Sequence, residues 1–111
     1  MKVSRLCEIL DLRSVCGSLD AEFDGVYAGD LLSRAMSRID AGNLWITIMS
    51  NTNVIAVASL TETAAVILAE GVELIPDALK AAENNGITVL SSELSVNDLC
   101  VAIHEAMSVQ S

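Results

Sequence analysis

Three short runs in this chain are apolar on consecutive rather than alternate residues, interrupted only by Thr47 and Thr88: Leu44–Met49, Ala65–Leu68 and Ile87–Leu90. A strand that faces water on one side alternates apolar with polar side chains, whereas a strand covered on both faces reads as a continuous apolar run. The runs are rich in Val and Ile, which suit a pleated backbone. Between them lie segments with helical punctuation. Asn51, Thr52 and Asn53 supply cap chemistry for a helix reaching about Leu60. Ile75-Pro76-Asp77 places proline at a first helical position and an acid in the first turn, and Asn85-Gly86 closes that helix. Ser95-Val96-Asn97-Asp98 opens the last helix as a capping box with Asp in place of Glu. Val96, Leu99, Cys100, Ile103 and Met107 then line one face. Buried strands joined by helices predict a three-layer α/β/α domain with a parallel or mostly parallel central sheet, residues 1–111 forming one domain.

The first forty residues are less regular. Val3–Leu10 predicts a helix with Val3, Leu6, Cys7 and Leu10 on one face, and Leu12–Val15 a further strand. Asp30 reads as the N-cap of a helix from Leu31 to about Ala41, with Leu31, Leu32, Ala35, Met36 and Ile39 facing inward and Gly42 closing it.

Charge removes whole classes of partner. Fifteen acidic against six basic residues leave a net charge of −9, so no cationic face is expected for a nucleic-acid backbone or an anionic membrane surface. Mean hydropathy is high, at +0.52. The uncharged stretch from Ala41 to Thr61, 21 residues, is nominally long enough to span a bilayer. Ser50, Asn51, Thr52 and Asn53 at its centre argue against one, because unpaired amides in hydrocarbon are costly. Glu8 and Asp11 interrupt what would have to be the apolar core of a signal peptide. A cytoplasmic location is expected, and Cys7, Cys16 and Cys100, with no C-x-x-C among them, read as small buried hydrophobes in a reducing compartment.

In a parallel α/β sheet, ligands bind beyond the carboxyl ends of the strands. Here those ends are Ser50-Asn51-Thr52-Asn53, Ala69-Glu70-Gly71 and Ser91-Ser92-Glu93, loops of small hydroxyl or amide residues leading towards helix starts. Gly29 and Asp30 form a further candidate. The ligand-binding set is therefore Gly29, Asp30, Ser50, Asn51, Thr52, Asn53, Glu70, Gly71, Ser91 and Ser92, with helix capping as the alternative for the polar members. A phosphate-bearing ligand would be held by backbone N–H groups rather than by a Lys/Arg clamp.

Other features carry less chemistry. No phosphate-binding G-x-x-x-x-G-K-[ST] motif exists, and Gly17, Gly25 and Gly29 do not form G-x-G-x-x-G. Asp20, Glu22, Asp24 and Gly25 copy part of a calcium-loop spacing, but Leu31 stands where the bidentate Glu belongs. His104 falls on the border of the last helix's apolar stripe, where the helix dipole accounts for it. Trp45 reads as core. No catalytic residue, metal or cofactor is expected.

Four blocks carry a resemblance: Gly17-Ser18-Leu19-Asp20, Tyr27 to Met36 (YAGDLLSRAM), Leu44-Trp45-Ile46-Thr47-Ile48 and Asn53 to Leu60 (NVIAVASL). They resemble small stand-alone DRTGG-domain proteins and, with them, the N-terminal domain of HPr kinase/phosphorylase. The resemblance covers nearly the whole chain. Where relatives carry Asp-Arg this chain has Asn51-Thr52, and where they carry Thr-Gly-Gly it has Ala69-Glu70-Gly71, on two of the strand-end loops named above. The kinase chemistry of that enzyme resides in a separate domain with a phosphate-binding loop. The resemblance thus implies a non-catalytic regulatory or ligand-sensing module, binding a nucleotide-like or other phosphate-bearing molecule and associated with iron-only hydrogenase or energy metabolism of anaerobic bacteria. The alternative is an interaction or adaptor protein with no small-molecule ligand. The apolar fraction, 52%, points to a homodimer or a partner enzyme covering part of the surface.

Overall fold

The computed structural model describes residues 1–110. The three apolar runs are neighbouring strands at the middle of a five-stranded sheet: β3 (Asn43–Thr47), β4 (Ala65–Leu68) and β5 (Val89–Ser91). Two edge strands flank them. β2 (Gly25–Ala28) lies parallel to β3, and β1 (Arg13–Cys16) runs antiparallel to β5, giving the order β1-β5-β4-β3-β2. The sheet is thus mostly parallel, an α/β fold with one antiparallel pair at an edge.

Both faces of the central strands are buried, as a run without polar alternation requires. Leu44, Ile46, Ala65, Ile67 and Leu90 point into one core with Leu6, Leu99 and Ile103 of helices α1 (Val3–Leu10) and α5 (Val96–Gln110). Trp45, Val66, Leu68 and Val89 point into the other. That second core also holds Ala35 of α2 (Leu32–Arg38), Val54, Ile55, Val57 and Ala58 of α3 (Thr52–Thr61), and Ala78 and Ala82 of α4 (Pro76–Asn84). Among the described residues no helix is long and apolar enough to cross a membrane.

Most helix boundaries follow the cap chemistry. Asn51 accepts from Asn53 N–H at 3.1 Å and starts α3. Pro76 is the first residue of α4, and Gly86 beyond its end takes φ +65°. Ser95 Oγ accepts from Asp98 N–H at 3.1 Å at the start of α5.

The N-terminal forty residues depart from expectation. Asp30 does not cap α2; Leu31 occupies the cap position with no side-chain bond. The helix ends at Arg38 rather than near Ala41, since Ile39 turns extended to bury its side chain. Leu31 and Met36, expected inside, are 62% and 50% exposed. A seven-residue helix presents about two turns, too few to aim five side chains inward. Gly42 (φ +86°) then serves a tight turn in which Asn43 N–H bonds Asp40 C=O. Strand β2 carries no periodic signal in the sequence, being four residues that begin at a glycine. Strand β3 starts and stops earlier than the apolar run, and β5 begins at Val89 rather than Ile87.

The acidic loop between β1 and β2 is structural. α1 has no side-chain cap, and its first N–H groups, Val3 and Ser4, donate to Ala21 C=O and Leu19 C=O at 2.9 and 3.0 Å.

Candidate functional site

Strands β2 to β5 run in one direction, so their carboxyl ends share one edge of the sheet, and every sequence-predicted site residue lies along it. Hydrogen bonding divides them into two groups.

At the ends of β2 and β3 the polar atoms are bonded to one another. Asp30 Oδ1 accepts from the Thr47 hydroxyl at 2.6 Å and from Ile48 N–H at 3.0 Å, and Thr47 Oγ1 in turn accepts from Met49 N–H at 3.2 Å. Thr47 is fully buried, so this carboxylate satisfies a hydroxyl that could reach no water. Gly29 C=O accepts from Trp45 Nε1 at 3.0 Å. That bond fixes the end of β2 on the largest buried side chain of the core. Ser50 C=O accepts from Ile75 N–H at 3.1 Å. Asn51 is the α3 cap, and Thr52 and Asn53 are exposed in that helix's first turn. This half is a braced strand-to-helix corner.

At the ends of β4 and β5 the loops leave an opening. Glu70 and Gly71 both adopt positive φ, +59° and +71°, and Val72 N–H returns to Ala69 C=O at 3.2 Å, the pattern of a primed tight turn. The turn is tied to the loop after β5: Glu70 N–H donates to Leu94 C=O and Gly71 N–H to Ser92 C=O, both at 2.9 Å. A side chain at Gly71 would collide with Glu93, whose Oε2 lies 2.6 Å from where a Cβ would sit. Gly71, Ser91, Ser92 and Glu93, with Asp11 and Arg13 across from them, line a cavity of about 310 Å³.

Arg13 is the residue that sequence reasoning missed. Because β1 runs antiparallel to β5, its first residue pairs with the last of β5, Arg13 opposite Ser91. An N-terminal strand residue is thereby delivered to the carboxyl-end edge. Its Nε donates to Ser91 Oγ at 3.1 Å, while an NH2 nitrogen stands 3.8 Å from Glu73 Oε1. Arg13 also lines a second cavity of about 240 Å³, with Ser91, Val72, Glu73 and Leu74. A cation therefore does stand at the strand ends, contrary to the expectation that only backbone N–H groups would meet an anion there. The signal lay in strand direction, which sequence alone does not carry.

The lining is mixed: Arg13 with the hydroxyls of Ser91 and Ser92 can meet an anionic or hydroxyl group, while Asp11 and Glu93 can accept from ligand hydroxyls or amines. Asp30, Ser50, Asn51, Thr52, Asn53 and Glu70 do not line that cavity. Among the described residues no group of three or more His, Cys, Asp or Glu side chains is placed to hold a metal ion, the Asp20–Asp24 loop included. Burial pushes the thiols of Cys7, Cys16 and Cys100 above their usual range, the reverse of an activated nucleophile; at Cys16 the Val89 backbone opposes this and Glu83 adds to it.

A solved structure of the CBS and DRTGG domains from the regulatory region of Clostridium perfringens pyrophosphatase, complexed with the activator diadenosine tetraphosphate, superposes with a TM-score of 0.71 at 13% identity. The match covers 87% of this chain and 43% of that one, so this chain spans less than half the length of its structural neighbour. No curated protein matches the chain. The DRTGG domain model matches residues 5–106, and the chain belongs to the DRTGG domain family.

Proposed function

We propose that this protein is a non-catalytic regulatory module that senses a nucleotide-like, phosphate-bearing small molecule in the cavity at the carboxyl ends of β4 and β5. The observation that carries the reading is Arg13, bonded to Ser91 and held loosely by Glu73 at the rim of a cavity that also presents Asp11 and Glu93. A nucleoside phosphate has both complements. Its phosphate suits a guanidinium, and its ribose hydroxyls suit carboxylate acceptors. The Arg13–Glu73 pair is long and both side chains are mostly exposed, so exchanging that carboxylate for a phosphate costs little. The structural neighbour supports the reading, since it is part of an enzyme's regulatory region bound to a nucleotide activator.

The test is calorimetric titration, after a thermal-shift screen of adenine and uridine nucleotides, dinucleoside polyphosphates and inorganic phosphate. A ligand at a hundredfold excess over its Kd stabilises by about 2.7 kcal/mol. A selective shift that Arg13→Gln and Ser92→Ala abolish supports the reading. A folded protein that no nucleotide stabilises overturns it.

A second reading, an adaptor acting through protein contacts, is favoured by one observation. Ile9 on α1 and Val109 on α5 are exposed around a cleft that Arg5 and Glu105 also line, and exposed Val101 lines a second cleft that shares Glu105 and Val109 with it. Opposite charges beside an apolar centre suit a second copy docking in two-fold fashion, as a homodimer. A partner enzyme, such as the hydrogenase implied by the resemblance, is the other occupant. Sedimentation equilibrium of the wild-type chain and Val101→Glu decides between them. A dimer that the substitution dissociates supports self-association, and a wild-type monomer leaves the face to another protein.

A further inference from the structure

A different cavity, on the flank of the sheet, is lined by Tyr27, Arg34 and Arg38 and has a volume of about 460 Å³. It lies where edge strand β2 meets α2, so two of the chain's six basic residues stand beside one half-buried aromatic ring. The placement works against the helix that carries it. Like charges four residues apart destabilise a helix. Arg34 also sits near the N-terminal end of α2, where the helix dipole disfavours a cation, while the dipole favours Arg38 in the last turn. No acid relieves either charge from within the helix, whose sequence is LSRAMSR. Among the described residues neither guanidinium forms an ion pair, although the chain carries fifteen acids. Two cations kept together at this cost, over an open cavity, fit an anion that is absent from the chain itself.

We propose that Tyr27, Arg34 and Arg38 form a second binding site, for the diphosphate group of a small molecule. Side chains one helical turn apart have Cβ atoms about 5–6 Å apart, a separation that lets two guanidiniums reach adjacent phosphoryl groups. Tyr27 forms the remaining wall. Its ring lies over Gly29, with the hydroxyl 3.1 Å and Cε2 3.2 Å from where a Cβ at that glycine would sit, and its inner side packs against the Trp45 core. The ring is therefore held in place and can stack on a nucleobase. A small ligand is favoured over an acidic protein segment because the cavity has three lining residues and the surrounding chain, at −9, repels an extended polyanion. This site is separate from the Arg13 cavity and stands whether or not that one binds a nucleotide.

The test is calorimetry on the full chain at low ionic strength, with inorganic pyrophosphate and with ADP. Saturable binding of pyrophosphate that persists in Arg13→Gln, and falls at least tenfold when Arg34→Gln/Arg38→Gln is added to it, is the expected result. The double substitution removes a like-charge pair, so its melting temperature should be equal to or above that of the wild type. In the same Arg13→Gln background, tighter binding of ADP, lost when Tyr27→Leu is added while pyrophosphate binding remains, identifies a nucleotide as the source of the diphosphate. Equal affinities identify the inorganic ion. Absence of saturable binding, or binding removed by Arg13→Gln and not by the double substitution, overturns the proposal. So does a hexaglutamate peptide that binds where pyrophosphate does not, which would assign the cavity to an acidic protein segment.

Discussion

Asp30 and Thr47 meet at the end of the sheet through a 2.6 Å hydrogen bond in which a fully buried hydroxyl donates to a carboxylate on the neighbouring strand's extension. The same oxygen takes Ile48 N–H at 3.0 Å, so one side-chain atom finishes the parallel pairing of β2 with β3 beyond its last ladder bond. Asp30→Ala leaves the Thr47 hydroxyl without its acceptor. It should lower unfolding free energy by about 2 kcal/mol, the cost of a buried donor left unpaired. Asp30→Asn keeps an acceptor and should cost less than half as much. Urea unfolding of the two variants checks the order, and equal losses would show that charge rather than acceptance matters.

Asn51, a candidate ligand residue by sequence, caps α3 with its side chain accepting from Asn53 N–H at 3.1 Å. Asn51→Ala should cost about 1 kcal/mol of stability, and Asn51→Ser much less. Neither should change affinity for a ligand held by Arg13. Paired denaturation and titration would expose a binding role if affinity fell in both.

Two glycines with positive φ should respond differently to alanine. At Gly17 (φ +89°) a Cβ would come within 2.5 Å of Thr88 Cα, a backbone atom that cannot step aside. Gly17→Ala should therefore destabilise by more than about 2 kcal/mol, combining backbone strain with displacement of β5 from β1. At Gly71 (φ +71°) the obstacle is the Glu93 carboxylate at 2.6 Å, the end of a flexible side chain. Gly71→Ala should cost only about 1 kcal/mol, but it moves an acid out of the strand-end cavity. A thermal melt separates the two, and a changed Kd for nucleotide in Gly71→Ala alone would place Glu93 in that site.

The three thiols give the chain a pH dependence of known sign. Burial raises the pKa of Cys7, Cys16 and Cys100, so above the ordinary thiol value of about 8.5 the unfolded chain has lost protons that the folded chain still holds. Their contribution to stability is complete below that pH and is lost as pH rises through the folded-state values. Melting temperature should fall more steeply above pH 8.5 in the wild type than in a triple Cys→Ala variant, each referred to its own value at pH 7. Alkylation by iodoacetamide should be slower for the folded chain than for the urea-unfolded chain at the same pH.

The sequence alone determined the layers. Leu44–Met49, Ala65–Leu68 and Ile87–Leu90 could be covered only on both faces, and the helical segments between them left parallel neighbours as the economical arrangement. Local cap chemistry at Asn51, Pro76 and Ser95 set three helix starts because a cap is a contact within four residues. The same sequence placed the polar loops at one edge, since strand direction in a parallel sheet follows from its connections.

Tertiary structure decided what lies far apart in the chain. Asp30 had the local signature of a cap, yet a buried hydroxyl seventeen residues away claimed its carboxylate. Strand β2 exists because β3 offers it an edge, not because four residues beginning with glycine favour extension. Arg13 reaches the strand ends because β1 pairs antiparallel with β5, 78 residues further on. Periodicity and capping are short-range physics and are written in neighbouring residues. Which charge faces which cavity depends on strand order and direction, and these are settled only when both cores close around the sheet.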